Sequence, residues 1–138
     1  MKWKQIKDET DIRGLMTDFN GFEGSCISKI SYCSGAYADS NSLHAVNDKL
    51  HLKAVFERKY NSTSIQVLEI MFCGLITMKL SPVPKGYESV IDCASMKISP
   101  RGVMWSNWDD FIESHCVFGA TCIMADKAFF RFELTNNL

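Results

Sequence analysis

The chain's side chains for covalent or metal chemistry are three histidines, His44, His51 and His115, and six cysteines, Cys26, Cys33, Cys73, Cys93, Cys116 and Cys122. A thiol nucleophile needs a base in reach and a group that stabilises the developing charge. His115 stands beside Cys116, but adjacency in sequence is not adjacency in space. No strained elbow or glycine-rich oxyanion loop accompanies the pair. Structural zinc favours closely spaced ligand pairs. Neither Cys-x-x-Cys nor His-Glu-x-x-His occurs, and His115, Cys116 and Cys122 lack knuckle spacing. Cys26 and Cys33 are an odd number of positions apart, so on one regular strand they face opposite ways. Gly21-x-x-Gly24 follows a helical pattern instead of opening one, so it does not cradle phosphate. The sequence assigns no catalytic residue, no metal ligands and no cofactor.

Two segments hold candidate binding residues. The first, over 37–48, carries Tyr37, Asp39, Asn41, His44, Asn47 and Asp48 within the longest irregular stretch. Such groups can hold a cation or move a proton. They are also the ordinary composition of a solvated loop. Tyr37, Asp39 and His44 are the candidates here. The second is Trp105-Ser-Asn-Trp-Asp-Asp-Phe111. Aromatic anchors among polar groups concentrate binding energy at protein interfaces, which makes Trp105, Trp108, Asp109, Asp110 and Phe111 candidates. The competing reading puts Trp105 and Phe111 in the core and leaves only Trp108 partly exposed.

The elements that must position these groups follow from hydrophobic period. Ile12, Leu15, Met16 and Phe19 recur at helical spacing, with Asp8 or Thr10 as cap and Asn20-Gly21 as a left-handed stop. After Gly24 the period becomes two. Strands are expected over 26–34, 50–60, 65–80, 87–98, 103–108 and 121–134. The strand over 65–80 is apolar on both faces, which predicts a central position covered on both sides. Its even positions Leu68, Ile70, Phe72, Ile76, Met78 and Leu80 form the principal face. Gly74 predicts a bulge or bend, and Cys73 is expected in the core. The short turn after residue 60 makes 50–60 its hairpin partner, and 87–98 is expected on its other side. The fold class is therefore α+β: a curved antiparallel meander of about six strands with an N-terminal helix packed on one face. A sheet curling toward a small barrel is the alternative.

The 138 residues suit a single domain, 1–138. Hydrophobic residues are 46% and charged residues 22%, a globular balance, and the net charge is -1. A nucleic-acid partner would call for a basic excess that is missing here. No run approaches the roughly 18 apolar residues of a membrane helix, and the N-terminus lacks a secretory apolar stretch. The expectation is a soluble cytoplasmic protein with reduced thiols.

Phe19-Asn-Gly-Phe-Glu-Gly-Ser-Cys-Ile-Ser-Lys-Ile30, continued by Tyr32-Cys-Ser-Gly-Ala-Tyr37 and Val46-Asn-Asp-Lys49, resembles a family of small uncharacterised bacterial proteins. In that family a helix ends in phenylalanine and a Phe-His-Asp-Ser-type motif starts the first strand. Some relatives by motif are immunity-like proteins. The likeness covers about the first 60 residues. Glu23 and Gly24 stand at the His-Asp positions, so no role of that pair carries over. The resemblance implies a small bacterial cytoplasmic domain without a known reaction.

Two functions follow as expectations. One is a non-catalytic protein-binding module, of immunity type, with pairing of two copies through a sheet edge as a further expectation. The edge would be the first or the short fifth strand. The alternative is a small-ligand or cryptic enzymatic pocket in a curved sheet, with His44, His51 or His115 as converging polar groups.

Overall fold

Phenylalanine, leucine and isoleucine at alternate positions of three long strands build the centre of the protein. A computed structural model describes residues 2–108 and 120–136. In chain order the elements are β1 (Lys4–Gln5), α1 (Glu9–Asp18), β2 (Ser25–Cys33), β3 (Tyr37–Ala38), β4 (Leu43–His44), β5 (His51–Lys59), β6 (Ser64–Lys79), β7 (Ser95–Ser99), β8 (Gly102–Ser106) and β9 (Cys122–Asn136). The main sheet is antiparallel and seven-stranded, in the order β2-β5-β6-β9-β8-β7, with β1 added beside β9. Among the described residues one α-helix accompanies it, so the α+β class holds.

The long strand β6 is central, and its hairpin with β5 forms as expected. Its other neighbour is not. The last strand, β9, lies between β6 and β8, so sheet order departs from a sequential meander. The expected strand over 87–98 begins only at Ser95. Before it, Ile91 alone bridges to Ser25, donating its N–H to Ser25 O at 2.7 Å and accepting from Gly24 N–H at 3.0 Å. The short fifth strand is no edge either: β8 pairs with β7 on one side and β9 on the other. The first expected strand, β2, does lie at the end of the order.

Three cross-strand rows show how the core is filled. Leu52, Phe72 and Ala128 form one row, Ala54, Ile70 and Phe130 the next, and Phe56, Leu68 and Phe132 the third. Alanine sits opposite large neighbours, so the rows interdigitate. All but Phe132 are buried, each large side chain contributing about 1.5–3 kcal/mol. Helix α1 adds Ile12 and Leu15 to this cluster. Asp8 caps it by accepting the Asp11 N–H at 2.9 Å.

The helix ends in a turn with three consecutive left-handed residues: Asn20 at φ 53, Gly21 at φ 61 and Phe22 at φ 68. For Phe22 that backbone costs about 1–3 kcal/mol. Its ring is wholly buried, with ring centroids 5.1 Å from Phe19, 5.0 Å from Phe56 and 5.6 Å from Trp105. Burial and three aromatic contacts of about 0.5–1.5 kcal/mol each outweigh the strain.

Gly74 makes the predicted bulge. The N–H groups of Gly74 and Leu75 both donate to Leu50 O, at 2.9 and 3.2 Å, and Gly74 has φ 67. Past it the facing changes. Leu75 packs against the core, while Ile76, Met78 and Leu80, expected on the buried face, are exposed. The other face of β6 is only half-covered. There Glu69 pairs with Arg131 and lies 3.5 Å from Lys53, and Arg131 stacks over the Trp3 ring at 4.3 Å. Cys73 belongs to this half-covered face, not to the core.

Candidate functional site

Residues 36–49 are exposed without exception. Within them, among the described residues, β3 and β4 pair only with each other, Tyr37 opposite His44 and Ala38 opposite Leu43. The result is a small ribbon that leaves the sheet between β2 and β5. Its base is narrow: a Cβ on Gly35, which has φ 86, would lie 2.3 Å from Asp48 Oδ1 and 2.8 Å from Lys49 N. Only glycine meets both conditions.

The tip is locked by its own side chains. Asp39 N–H donates to Ser42 O at 3.0 Å, and Asp39 Oδ1 accepts the N–H groups of Asn41 and Ser42, each at 2.9 Å. An Asp side chain capping its own turn in this way is the reason aspartate favours such positions. His44 Nε2 lies 2.9 Å from Asp39 Oδ2 and 3.2 Å from Ser42 Oγ. The Tyr37 ring stacks on His44 at 4.3 Å and 16°. The Ser42 and Asn41 amides, then His44, hold the Asp39 carboxyl below its usual range.

Serine, histidine and aspartate together suggest a relay, but the geometry is wrong for one. A relay uses the two imidazole nitrogens separately, one for the nucleophile and one for the carboxylate. Here Ser42 and Asp39 meet the same nitrogen. The cluster stiffens a turn. What it presents is apolar: Tyr37 is 57% exposed, Leu43 72% and Val46 74%.

The structure brings Tyr37, Asp39 and His44 together, as one unit. It separates the second candidate segment. Trp105 is wholly buried, against Phe22 and Phe56, so its indole is not on the surface. Trp108 is 44% exposed, with its backbone N–H on Ser106 Oγ at 3.3 Å. Asp109, Asp110 and Phe111 lie outside the described residues, as do His115 and Cys116. Residue type alone did not single out Leu43 and Val46, which the structure leaves exposed. The signal was there: they are the aliphatic residues of the polar stretch.

Among the described residues no three His, Cys, Asp or Glu side chains gather as a metal site. Cys26 and Cys33 do share a face, against the alternation expected, because a register shift falls between Ile27 and Lys29. They pair with Glu57 and His51, six positions apart on β5, or about 20 Å. Burial, then the Glu57 charge, pushes the Cys26 thiol up, and burial pushes Cys73 up. Both are therefore poor nucleophiles.

Two open cavities line β2. One of about 520 Å³ lies by the β5–β6 turn, between Ser25, Arg58 and Thr63. The other, of about 450 Å³, lies between β2 and the connection that follows β6. Neither His44 nor His51 lines either one. No protein-family model matches the sequence, and no curated protein or solved structure matches it.

Proposed function

We propose that the chain is a non-catalytic protein-binding module of immunity type, and that it docks its partner through the ribbon. The observation that carries this reading is the exposure of Leu43, at 72%, on a ribbon that forms a two-stranded sheet of its own, with Val46 just past the ribbon at 74%. Isolated exposed apolar residues are ordinary. Here Leu43 stands on a projection whose turn is fixed by Asp39 and His44, so little ordering entropy is left to lose there on binding. Tyr37 adds an aromatic anchor of the type enriched at interfaces. The likeness of 19–30, 32–37 and 46–49 to small uncharacterised bacterial proteins, some of whose relatives by motif are immunity-like, supports a protein as the partner.

A curled sheet is the scaffold this reading uses. The curl is supported by the 5.0 Å contact between Phe56 and Trp105, whose strands β5 and β8 have β6 and β9 between them. In a flat sheet three strand spacings separate them by about 14 Å.

Site-specific photocrosslinking tests the docking. A photoreactive residue at Leu43 is expected to trap one defined protein that the same residue at Thr17, on the exposed side of α1, does not trap. Equal yields from the two positions would overturn the proposal.

A further inference from the structure

Strand β2 is paired along one side. It ends the sheet order next to β5, and among the described residues its other side meets backbone only where Ile91 bridges Ser25. An unpaired strand edge is a template for another strand. Which groups this edge offers follows from the alternation of hydrogen bonds in an antiparallel sheet. Tyr60 N–H donates to Ser64 O at 3.0 Å, and Leu50 O accepts from Gly74 N–H at 2.9 Å. Even-numbered positions along β5 therefore turn their main-chain groups toward β6, and odd-numbered ones toward β2. Val55, Lys53 and His51 stand opposite Lys29, Ser31 and Cys33. Those three β2 residues spend their N–H and C=O groups on β5, while Ile30 and Tyr32 turn theirs outward. The outward side is open there: Ile30 lines the cavity beside β2, and Tyr32 is 49% exposed.

The open length is short and its ends are fixed. Ser28 is the extra residue of the register shift, and Ser34 O is taken by the Lys49 N–H at 3.3 Å. Between them lies Lys29-Ile30-Ser31-Tyr32-Cys33. This segment complements itself when run antiparallel about Ser31. Ile30 then opposes Tyr32 of the second copy, Tyr32 opposes its Ile30, and each pair exchanges both N–H···O bonds through the outward groups. Aromatic on β-branched is a stabilising cross-strand pair. Both pairs extend the row faces of Leu52 and Ala54, which stand opposite Tyr32 and Ile30 on β5. On the other face Lys29 opposes Cys33, so the two ammonium groups do not meet. Moving the axis one residue, to Ile30 or Tyr32, sets an outward residue against Ser28 or Ser34. The bulge or the Lys49 bond then removes its partner.

We infer that two copies of this chain pair antiparallel through β2, about a two-fold axis at Ser31, joining their sheets into one. The occupant is a second copy because the one register that uses all the outward groups is the symmetric one, as a closed isologous contact requires. The contact is separate from the ribbon and does not rest on docking there.

Sedimentation equilibrium of the full chain, with thiols reduced, is expected to show the mass rising from monomer toward dimer between about 5 and 500 µM, the range of a small transient interface. Tyr32→Pro removes an outward N–H that β5 does not use, a change tolerated at a sheet edge. It is expected to keep the fold and lose the dimer. If that variant is unfolded by circular dichroism, Tyr32→Asp serves, and is expected to weaken association about 5-fold or more by removing both cross-strand pairs. In Ser31→Cys/Cys33→Ser, mild oxidation is expected to link position 31 of one copy to position 31 of the other, since residues opposed in this way have Cα atoms about 4.5 Å apart. Three results would each overturn the inference: a monomer mass across the whole range, unchanged association by a folded Tyr32 variant, or no disulfide between the two positions 31.

Discussion

Trp105 of β8 and Phe56 of β5 lie with their rings 5.0 Å apart although two strands separate theirs in the sheet. Phe22 joins both, at 5.0 Å from Phe56 and 5.6 Å from Trp105. The left-handed turn after α1 therefore meets the second strand from each end of the sheet order at one buried aromatic cluster. Trp105 Nε1 is buried there without a hydrogen-bond partner among the described residues.

The contact gives a first prediction. A double-mutant cycle of Phe56→Leu and Trp105→Leu, read by urea denaturation, should show a coupling of about 0.5–1.5 kcal/mol. Strictly additive effects would remove the support for the proposed curl. Trp105→Ala alone should cost about 3–5 kcal/mol. Trp105→Phe should cost less than the truncation, because it also removes the unpaired N–H.

Two glycines give opposite outcomes under the same substitution. At Gly74, φ is 67 and a new Cβ would lie 2.9 Å from Asp126 Cβ. Gly74→Ala should destabilise by about 1–3 kcal/mol. Gly14, in α1, has nothing within 4 Å of a new Cβ, and Gly14→Ala should stabilise by about 0.5–1 kcal/mol. Thermal unfolding of the two variants checks both signs, and a neutral Gly74→Ala would contradict the bulge.

These positions also show what the sequence could and could not reveal. Helix α1, the β5–β6 hairpin and the bulge at Gly74 were legible, because each rests on local period and turn chemistry. The place of β9 between β6 and β8 was not, because nothing local distinguishes it from the segment 87–98 as a neighbour of β6. The change of facing beyond Gly74 depends on how the bulge is built, so Ile76 and Met78 were misplaced. For Phe22, residue type argues against positive φ, and only the aromatic cluster explains it. On the surface, the ribbon was visible as an irregular stretch, while its pairing and the mutual lock of Asp39 and His44 required coordinates.

Glu69 supplies a pH prediction. Hydrogen bonding to Arg131 holds its carboxyl below the usual carboxylate range, against the opposing effect of burial. A folded-state value depressed below the unfolded one means stability that is present above about pH 4.3 and lost as pH falls through the folded value. Glu69→Gln should therefore flatten the fall in denaturation midpoint on the acid side. An acid-side slope identical to wild type would show that the pair contributes nothing. Trp3→Ala should weaken the same network, since Arg131 stacks on that ring.

The ribbon lock should be separable from global stability. Asp39 caps the turn and meets His44 on an exposed projection. Asp39→Ala should leave the melting temperature unchanged and raise amide exchange at Asn41 and Ser42. The Asp39 carboxyl, held below its usual range by the Ser42 and Asn41 amides, should keep the turn closed through mildly acidic pH and release it only below about pH 3.9. Protected amides at Asn41 and Ser42 in Asp39→Ala would show that the lock lies elsewhere.

The central claim is that the ribbon docks a protein. Its most direct test is the affinity of the partner trapped at position 43 for wild type and for Leu43→Asp/Val46→Asp, measured by calorimetry with both proteins purified. Two lost anchors of about 2 kcal/mol each predict a loss of affinity of about 700-fold, with an unchanged melting temperature. Equal affinity of the two proteins for that partner would contradict the claim.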